Sequence, residues 1–190
     1  MEALLTSAAV VALAEIGDKT QLLAIVLAAR FQRPVPITFG ILAATLANHF
    51  LAALVGAQAA HWLDGAWFRY AVAASFLAMA LWTLVPDKLE DAADARPPRF
   101  GAFLTTLVAF FLVEMGDKTQ VATIALGARF ESALWVTVGT TLGMMVANVP
   151  AVLLGDALLR RVPLRVVRMV AAVLLFALGV LLIVQTVGLI

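Results

Sequence analysis

The chain has no cysteine, which excludes disulfides, thiolate metal sites and cysteine nucleophiles. No cluster of lysine and arginine interleaved with aromatics occurs, and the net charge is only +1, so nucleic acid is not an expected partner. The start of the chain lacks positive charge as well. Met1 to Ala14 ends in Ala12-Leu13-Ala14, which mimics a signal-peptidase site, but this stretch carries Glu2 and neither Lys nor Arg. That is the wrong charge for a secretory signal. A second apolar segment of the same kind, Phe100 to Val113, lies deep inside the chain. The N-terminal stretch is therefore expected to be part of the fold.

Long polar stretches are also scarce. Of the 190 residues 64% are hydrophobic, against roughly 45–50% in ordinary globular chains, and mean hydropathy is +1.03. This composition predicts an all-α polytopic membrane protein. Six spans are expected, at about 3–29, 35–60, 67–85, 101–128, 133–159 and 165–188, each near the roughly 20 residues that cross a bilayer. The connections are short except for Pro86 to Arg99, which holds Asp87, Lys88, Glu90, Asp91, Asp94, Arg96, Pro97, Pro98 and Arg99. It reads as a solvated linker, its four acids offering at most a weak cation-collecting surface. The expected organisation is a first three-helix repeat over 1–85, a polar cytoplasmic linker over 86–100 and a second three-helix repeat over 101–190.

The repeat is visible residue by residue. Glu15-Ile16-Gly17-Asp18-Lys19-Thr20-Gln21 recurs as Glu114-Met115-Gly116-Asp117-Lys118-Thr119-Gln120, 99 positions later. From 15 to 31, eleven of seventeen residues match their partners, including Arg30/Arg129 and Phe31/Phe130. Thr38/Thr137, Gly40/Gly139, Leu54/Leu153 and Gly56/Gly155 match too, and His49 falls opposite Asn148. Three spans per repeat make the second enter from the opposite side of the first. Such inverted repeats are a feature of many secondary transporters, whose sites lie near the midplane where the repeats meet. Arg30, Arg33, Lys88, Arg96, Arg99, Arg160, Arg161, Arg165 and Arg168 fall on one side, against Arg69 and Arg129 on the other. By the positive-inside rule both termini face away from the cytoplasm.

Both copies of the motif sit inside apolar segments. The flanks 3–14 and 22–29 are too short to span alone, so the charges belong at membrane depth. Either one helix crosses with the motif at its midpoint, or two half-helices meet there, with Gly17 and Gly116 permitting the break and freeing carbonyl ligands. On a continuous helix Glu15 and Asp18 would share a face. Bringing the two motifs together assembles Glu15, Asp18, Glu114 and Asp117. Four carboxylates facing one another cannot all stay ionised without a cation, so protons or a divalent ion must neutralise them. Competition between the two is the physical basis of cation/proton exchange, and an all-oxygen cage suits Ca²⁺, Mg²⁺ and Mn²⁺. Lys19 and Lys118 would each neutralise the neighbouring aspartate of its own motif, or swing onto the carboxylates to aid release. A purely structural seam is disfavoured by magnitude. Polar contacts between membrane helices average only about 0.6 kcal/mol, against about 2.5–3.5 kcal/mol to place an acid at the bilayer centre.

Weaker candidates are Asn48, His49 and Asn148. A buried histidine is often a packing hydrogen bonder, but its usual titration range also suits proton coupling. Gly139 to Gly143 and Gly40/Ala44 read as close helix packing. Met115, Met144 and Met145 read as packing residues that offer at most a soft ligand.

The twin Glu-x-Gly-Asp-Lys-Thr motifs resemble those of the six-helix divalent-cation/proton exchanger family of the Golgi transmembrane protein 165 and bacterial manganese exporters. The resemblance covers nearly the whole chain. It implies that Glu15, Asp18, Glu114 and Asp117 bind the ion, with Gly17, Lys19, Thr20, Gln21, Gly116, Lys118, Thr119 and Gln120 supporting them. It also implies movement of Mn²⁺ or Ca²⁺ against protons. The shortness of the chain and the absence of an organellar leader resemble the bacterial members, implying Mn²⁺ export across the inner membrane. The expected partners are divalent cations, protons and the lipid bilayer, with a homo-oligomer left open. No cofactor is expected beyond the transported ion, and no catalytic residue. An intramembrane aspartyl protease is disfavoured, because Glu15 and Glu114 stand where its Gly-x-Gly-Asp signature needs the first glycine. A channel and a non-transporting scaffold are the remaining alternatives.

Overall fold

The computed structural model describes residues 1–63, 65–85, 101–155 and 163–188, and among these the apolar runs form eight helices. They are α1 (Glu2–Glu15), α2 (Lys19–Phe31), α3 (Pro34–Trp62) and α4 (Ala66–Thr83), then α5 (Ala102–Glu114), α6 (Lys118–Phe130), α7 (Ala133–Leu154) and α8 (Leu164–Val187). No strand occurs among the described residues. The polar linker with its acids, Asp64, and the pair Arg160 and Arg161 lie outside the described residues.

The first and fourth expected spans are each two half-helices. In both repeats the break has the same backbone: Ile16 and Met115 are extended, and Gly17 and Gly116 follow with φ of +81° and +78°. Asp18 and Asp117 are extended again and cap the next helix. A residue with a Cβ would be strained at the two left-handed positions, which is why glycine sits in each motif. Half-helices of 14 and 13 residues rise only about 21 and 20 Å, so they approach bilayer thickness only as a pair. After each pair the chain reverses within two residues, at Gln32-Arg33 and Glu131-Ser132. Pro34 opens α3, where its missing N–H costs nothing. By length and composition α3, α7 and α8 are each able to cross a membrane alone.

The repeats interlock. The long helix α7 lies along α1 and α2 of the first repeat, and α3 lies along α5 and α6 of the second. Each broken helix touches its own long helix only slightly, while α4 and α8 pair with each other. Small residues make this possible. A Cβ at Gly139 or Gly143 would strike the backbone carbonyl of Leu4 or Ala8, and one at Gly40 would strike α5 at Phe103 and Thr106. Gly56 faces the Ile124 carbonyl and Gly127 the Ala53 carbonyl, so α3 and α6 meet backbone to backbone. Around these contacts the apolar core gathers Val10, Phe76, Leu126 and Leu175 on one side and Val11, Ile41, Phe110 and Met144 on the other.

Gly56→Ala is therefore expected to force α3 from α6 and destabilise the fold by about 1–3 kcal/mol, the usual cost of overpacking. Gly101→Ala, where an added methyl meets open space, is expected to be neutral. Thermal unfolding in detergent reads both.

Large apolar side chains including Leu5, Phe39, Val55, Leu81, Leu112 and Val173 cover the outside, whereas Glu15, Asp18, Glu114, Asp117 and Lys118 lie buried within. A soluble chain distributes these residues the other way round. Apolar flanks around a polar interior are the arrangement a bilayer demands.

Candidate functional site

Both breaks bring a helix C-terminus and a helix N-terminus to one place. Glu15 and Glu114 are the last residues of α1 and α5, where the helix dipole is negative and adds to their own charge. Asp18 and Asp117 cap the positive ends of α2 and α6. Because the chain is broken between Glu15 and Asp18, they do not share a helix face. A turn joins them, closed by the Asp18 N–H donating to the Glu15 carbonyl at 3.0 Å, and by Asp117 to Glu114 at 3.1 Å.

Glutamine stitches each break. The Gly17 N–H donates to Gln21 Oε1 at 2.8 Å and the Gly116 N–H to Gln120 Oε1 at 2.7 Å. The other end of each amide reaches the opposite repeat: Gln21 Nε2 donates to the Ala147 carbonyl at 2.8 Å, and Gln120 Nε2 donates to Asn48 Oδ1. Ala147 is the repeat counterpart of Asn48 at the 99-residue offset, so one interaction is made once with a backbone oxygen and once with a side chain. Ala147 carries no functional group of its own, and nothing in the sequence marks its carbonyl; Pro150, which has no N–H, leaves the Val146 carbonyl without its helix partner instead.

The acids meet across the repeats. Ligand oxygens of Glu15, Glu114 and Asp117 lie within 4.8 Å of one another, all buried. Asp18 stands outside that group and is held by Lys118 Nζ at 2.6 Å, while Lys19 Nζ holds Asp117 at 2.9 Å. The lysines thus neutralise the aspartate of the other repeat. These pairs run across the interface, where the expectation had each lysine neutralise the aspartate of its own motif, because the break turns Lys19 and Lys118 toward the other repeat. The two pairs differ in surroundings: Lys19 is 30% exposed and Lys118 only 4%.

Neighbouring polar groups aim at the glutamates. Thr20 Oγ1 donates to Glu15, and Thr119 Oγ1 donates to Glu114 at 3.1 Å and to Asp117 at 3.4 Å. Asn148 Nδ2 donates to Glu15 Oε2 at 3.4 Å and to the Met144 carbonyl at 3.1 Å. At the matching place His49 Nε2 lies 3.5 Å from Glu114 Oε2. Asn48 Nδ2 donates to the Phe111 carbonyl at 3.4 Å. Of the methionines, Met144 Sδ accepts from Asn148, and Met115 is 57% exposed. Among the described residues, the arrangement is a buried cluster of acids with too little positive charge beside it, able to take up a cation or protons.

The profile of the family described as divalent cation/proton antiporter GDT1 matches residues 3–91 and 102–189, one match to each repeat. A protein of Vibrio cholerae serotype O1, provisionally named a manganese exporter, is 50% identical over 175 residues, covering 90% of this chain and 86% of its own. A GDT1-like protein of Synechocystis sp. is 30% identical over 190 residues, covering 90% of this chain and 91% of its own. GDT1-like protein 5 of Arabidopsis thaliana is 28% identical, covering 92% of each. No solved structure matches. The chain is a membrane protein and belongs to the GDT1 family of divalent cation/proton antiporters.

Proposed function

We propose that this protein exports Mn²⁺ across the inner membrane in exchange for protons, with Ca²⁺ as the competing substrate. The observation that carries this reading is the convergence of Glu15, Glu114 and Asp117 from two repeats into one buried cluster. Asp18 completes the set when Lys118 lets it go. Carboxylates are hard oxygen ligands matched to Mn²⁺ and Ca²⁺. Protons compete for the same oxygens, so loading from one side and discharge to the other couples the two fluxes. The likeness to the Vibrio cholerae protein supports manganese as the cargo. Gly17, Gly116, Gln21 and Gln120 hold the breaks open, and Thr20 and Thr119 orient the glutamates. Repeats over 1–85 and 101–190, joined by the linker 86–100, cross the membrane three times each with inverted topology. The excess of Lys and Arg on the connections after the first, third and fifth spans puts both termini outside the cytoplasm.

The test is metal flux in proteoliposomes of the purified protein, comparing Mn²⁺ with Ca²⁺ while internal pH is followed. Metal moving against an opposite proton flux is expected. A more acidic compartment on the metal-loaded side should slow uptake, since protons then hold the carboxylates. Metal movement without proton movement would replace the exchanger with a channel. Absence of flux under any gradient would overturn transport altogether.

A further inference from the structure

We propose that His49 is a nitrogen ligand for the transported cation and sets its preference for Mn²⁺ over Ca²⁺. The inference rests on the exchanger reading above and concerns how the site selects its cargo. His49 lies on α3, one residue beyond Asn48, and is fully buried. It occupies the place that Asn148 holds in the second repeat, so the two glutamates have different neighbours: an amide beside Glu15 and an imidazole beside Glu114. Asn148 is engaged, donating to Glu15 and to Met144. Both ring nitrogens of His49 are buried and make no hydrogen bond.

The spacing favours a shared ion over a direct bond. His49 Nε2 stands 3.5 Å from Glu114 Oε2 and makes no hydrogen bond with it. Adjacent ligands on one octahedral ion, at roughly 2.1–2.5 Å each, stand about 3.0–3.5 Å apart. His49 stands outside the group that Glu15, Glu114 and Asp117 form within 4.8 Å, but an ion that Glu114 binds through Oε2 lies within reach of the ring. Imidazole is a ligand of transition metals, whereas Ca²⁺ takes oxygen only. A mixed nitrogen and oxygen site therefore discriminates where a set of four carboxylates would not. The competing account is that His49 merely donates a hydrogen bond to Glu114, as Asn148 does to Glu15.

Pulsed electron paramagnetic resonance of Mn²⁺ bound to the full chain in detergent separates these accounts. Wild-type protein is expected to show coupling of Mn²⁺ to ¹⁴N, lost in His49→Asn and in His49→Gln, both of which keep an amide donor. In proteoliposomes His49→Asn, which matches Asn148, is expected to lower the Mn²⁺/Ca²⁺ flux ratio roughly tenfold, the scale of losing one group from a metal's surroundings. Bound Mn²⁺ without nitrogen coupling in the wild type, or coupling that persists in His49→Asn, overturns the ligand assignment and leaves the exchanger standing. An unchanged flux ratio overturns the role in selection. If neither variant folds, the wild-type spectrum alone decides. A wild-type protein that neither binds nor moves Mn²⁺ overturns both readings.

Discussion

Glu114→Gln is expected to reduce Mn²⁺ flux by at least about a hundredfold while leaving the protein folded. Changing a group that only supports a metal ligand costs about 10–100-fold, and Glu114 is proposed to touch the ion itself. The replacement keeps the size of the side chain and an oxygen for the Thr119 hydroxyl to bond. It also removes one of three acids crowded within 4.8 Å, relieving repulsion between like charges. Thermal stability should therefore hold or rise as transport falls, and loss of function cannot then be ascribed to unfolding. Proton release on Mn²⁺ binding, measured in weakly buffered detergent solution, should fall in the variant, because one fewer carboxyl has a proton to exchange. Glu15→Gln is expected to behave alike, since its environment differs mainly in having Asn148 where Glu114 has His49. Flux within threefold of wild type in either variant would remove that glutamate from the site.

The second large effect lies in the crossed ion pairs. Lys118→Met is expected to destabilise the protein by about 3–5 kcal/mol, because it removes the ammonium that neutralises the buried Asp18 carboxylate. Asp18→Asn combined with Lys118→Met should recover most of that loss, since both charges of the pair are then gone. The equivalent Lys19→Met should cost much less, as Lys19 is partly exposed and its pairing is weakened by screening. Unfolding in mixed micelles of the three variants and the wild type gives the comparison. Equal losses from the two lysines would contradict the difference in burial between the pairs. A double variant no more stable than Lys118→Met would show that the pair is not what holds these residues.

Much of the architecture was legible because the membrane constrains the sequence strongly. A glycine and five polar groups inside an apolar run allow few structures; a continuous helix and two half-helices were both open, and the half-helices meeting at Gly17 or Gly116 are the one the chain adopts. The close packing of Gly139 to Gly143 was legible for the same reason: without side chains, those positions only suit a neighbour's backbone. Partner choice was not legible. Lys19 is adjacent in sequence to Asp18, and nothing in a one-dimensional repeat says that it will prefer the counterpart 99 positions on. That choice is made by the turns at Ile16-Gly17 and Met115-Gly116, which re-aim the two lysines by an amount no spacing rule contains. The Ala147 carbonyl was hidden more deeply, since every residue has such an oxygen and only tertiary packing selects one. The contrast between His49 and Asn148 stood in the sequence, but its chemical meaning depends on each facing a different glutamate.

The interlocking of the two halves has a consequence for how the chain is made. Neither repeat supplies the surface on which its own broken helix rests; α1 and α2 wait for α7, and α5 and α6 need α3. Asp18 is completed by Lys118, a hundred residues downstream. At a synthesis rate of about 5–20 residues per second, that partner arrives about 5–20 s later. During this interval the first motif has its acids but neither the opposing lysine nor the Asn148 amide. The native state thus exists only once nearly the whole chain has left the ribosome, and truncation anywhere before α7 removes the seat of a helix that was synthesised first.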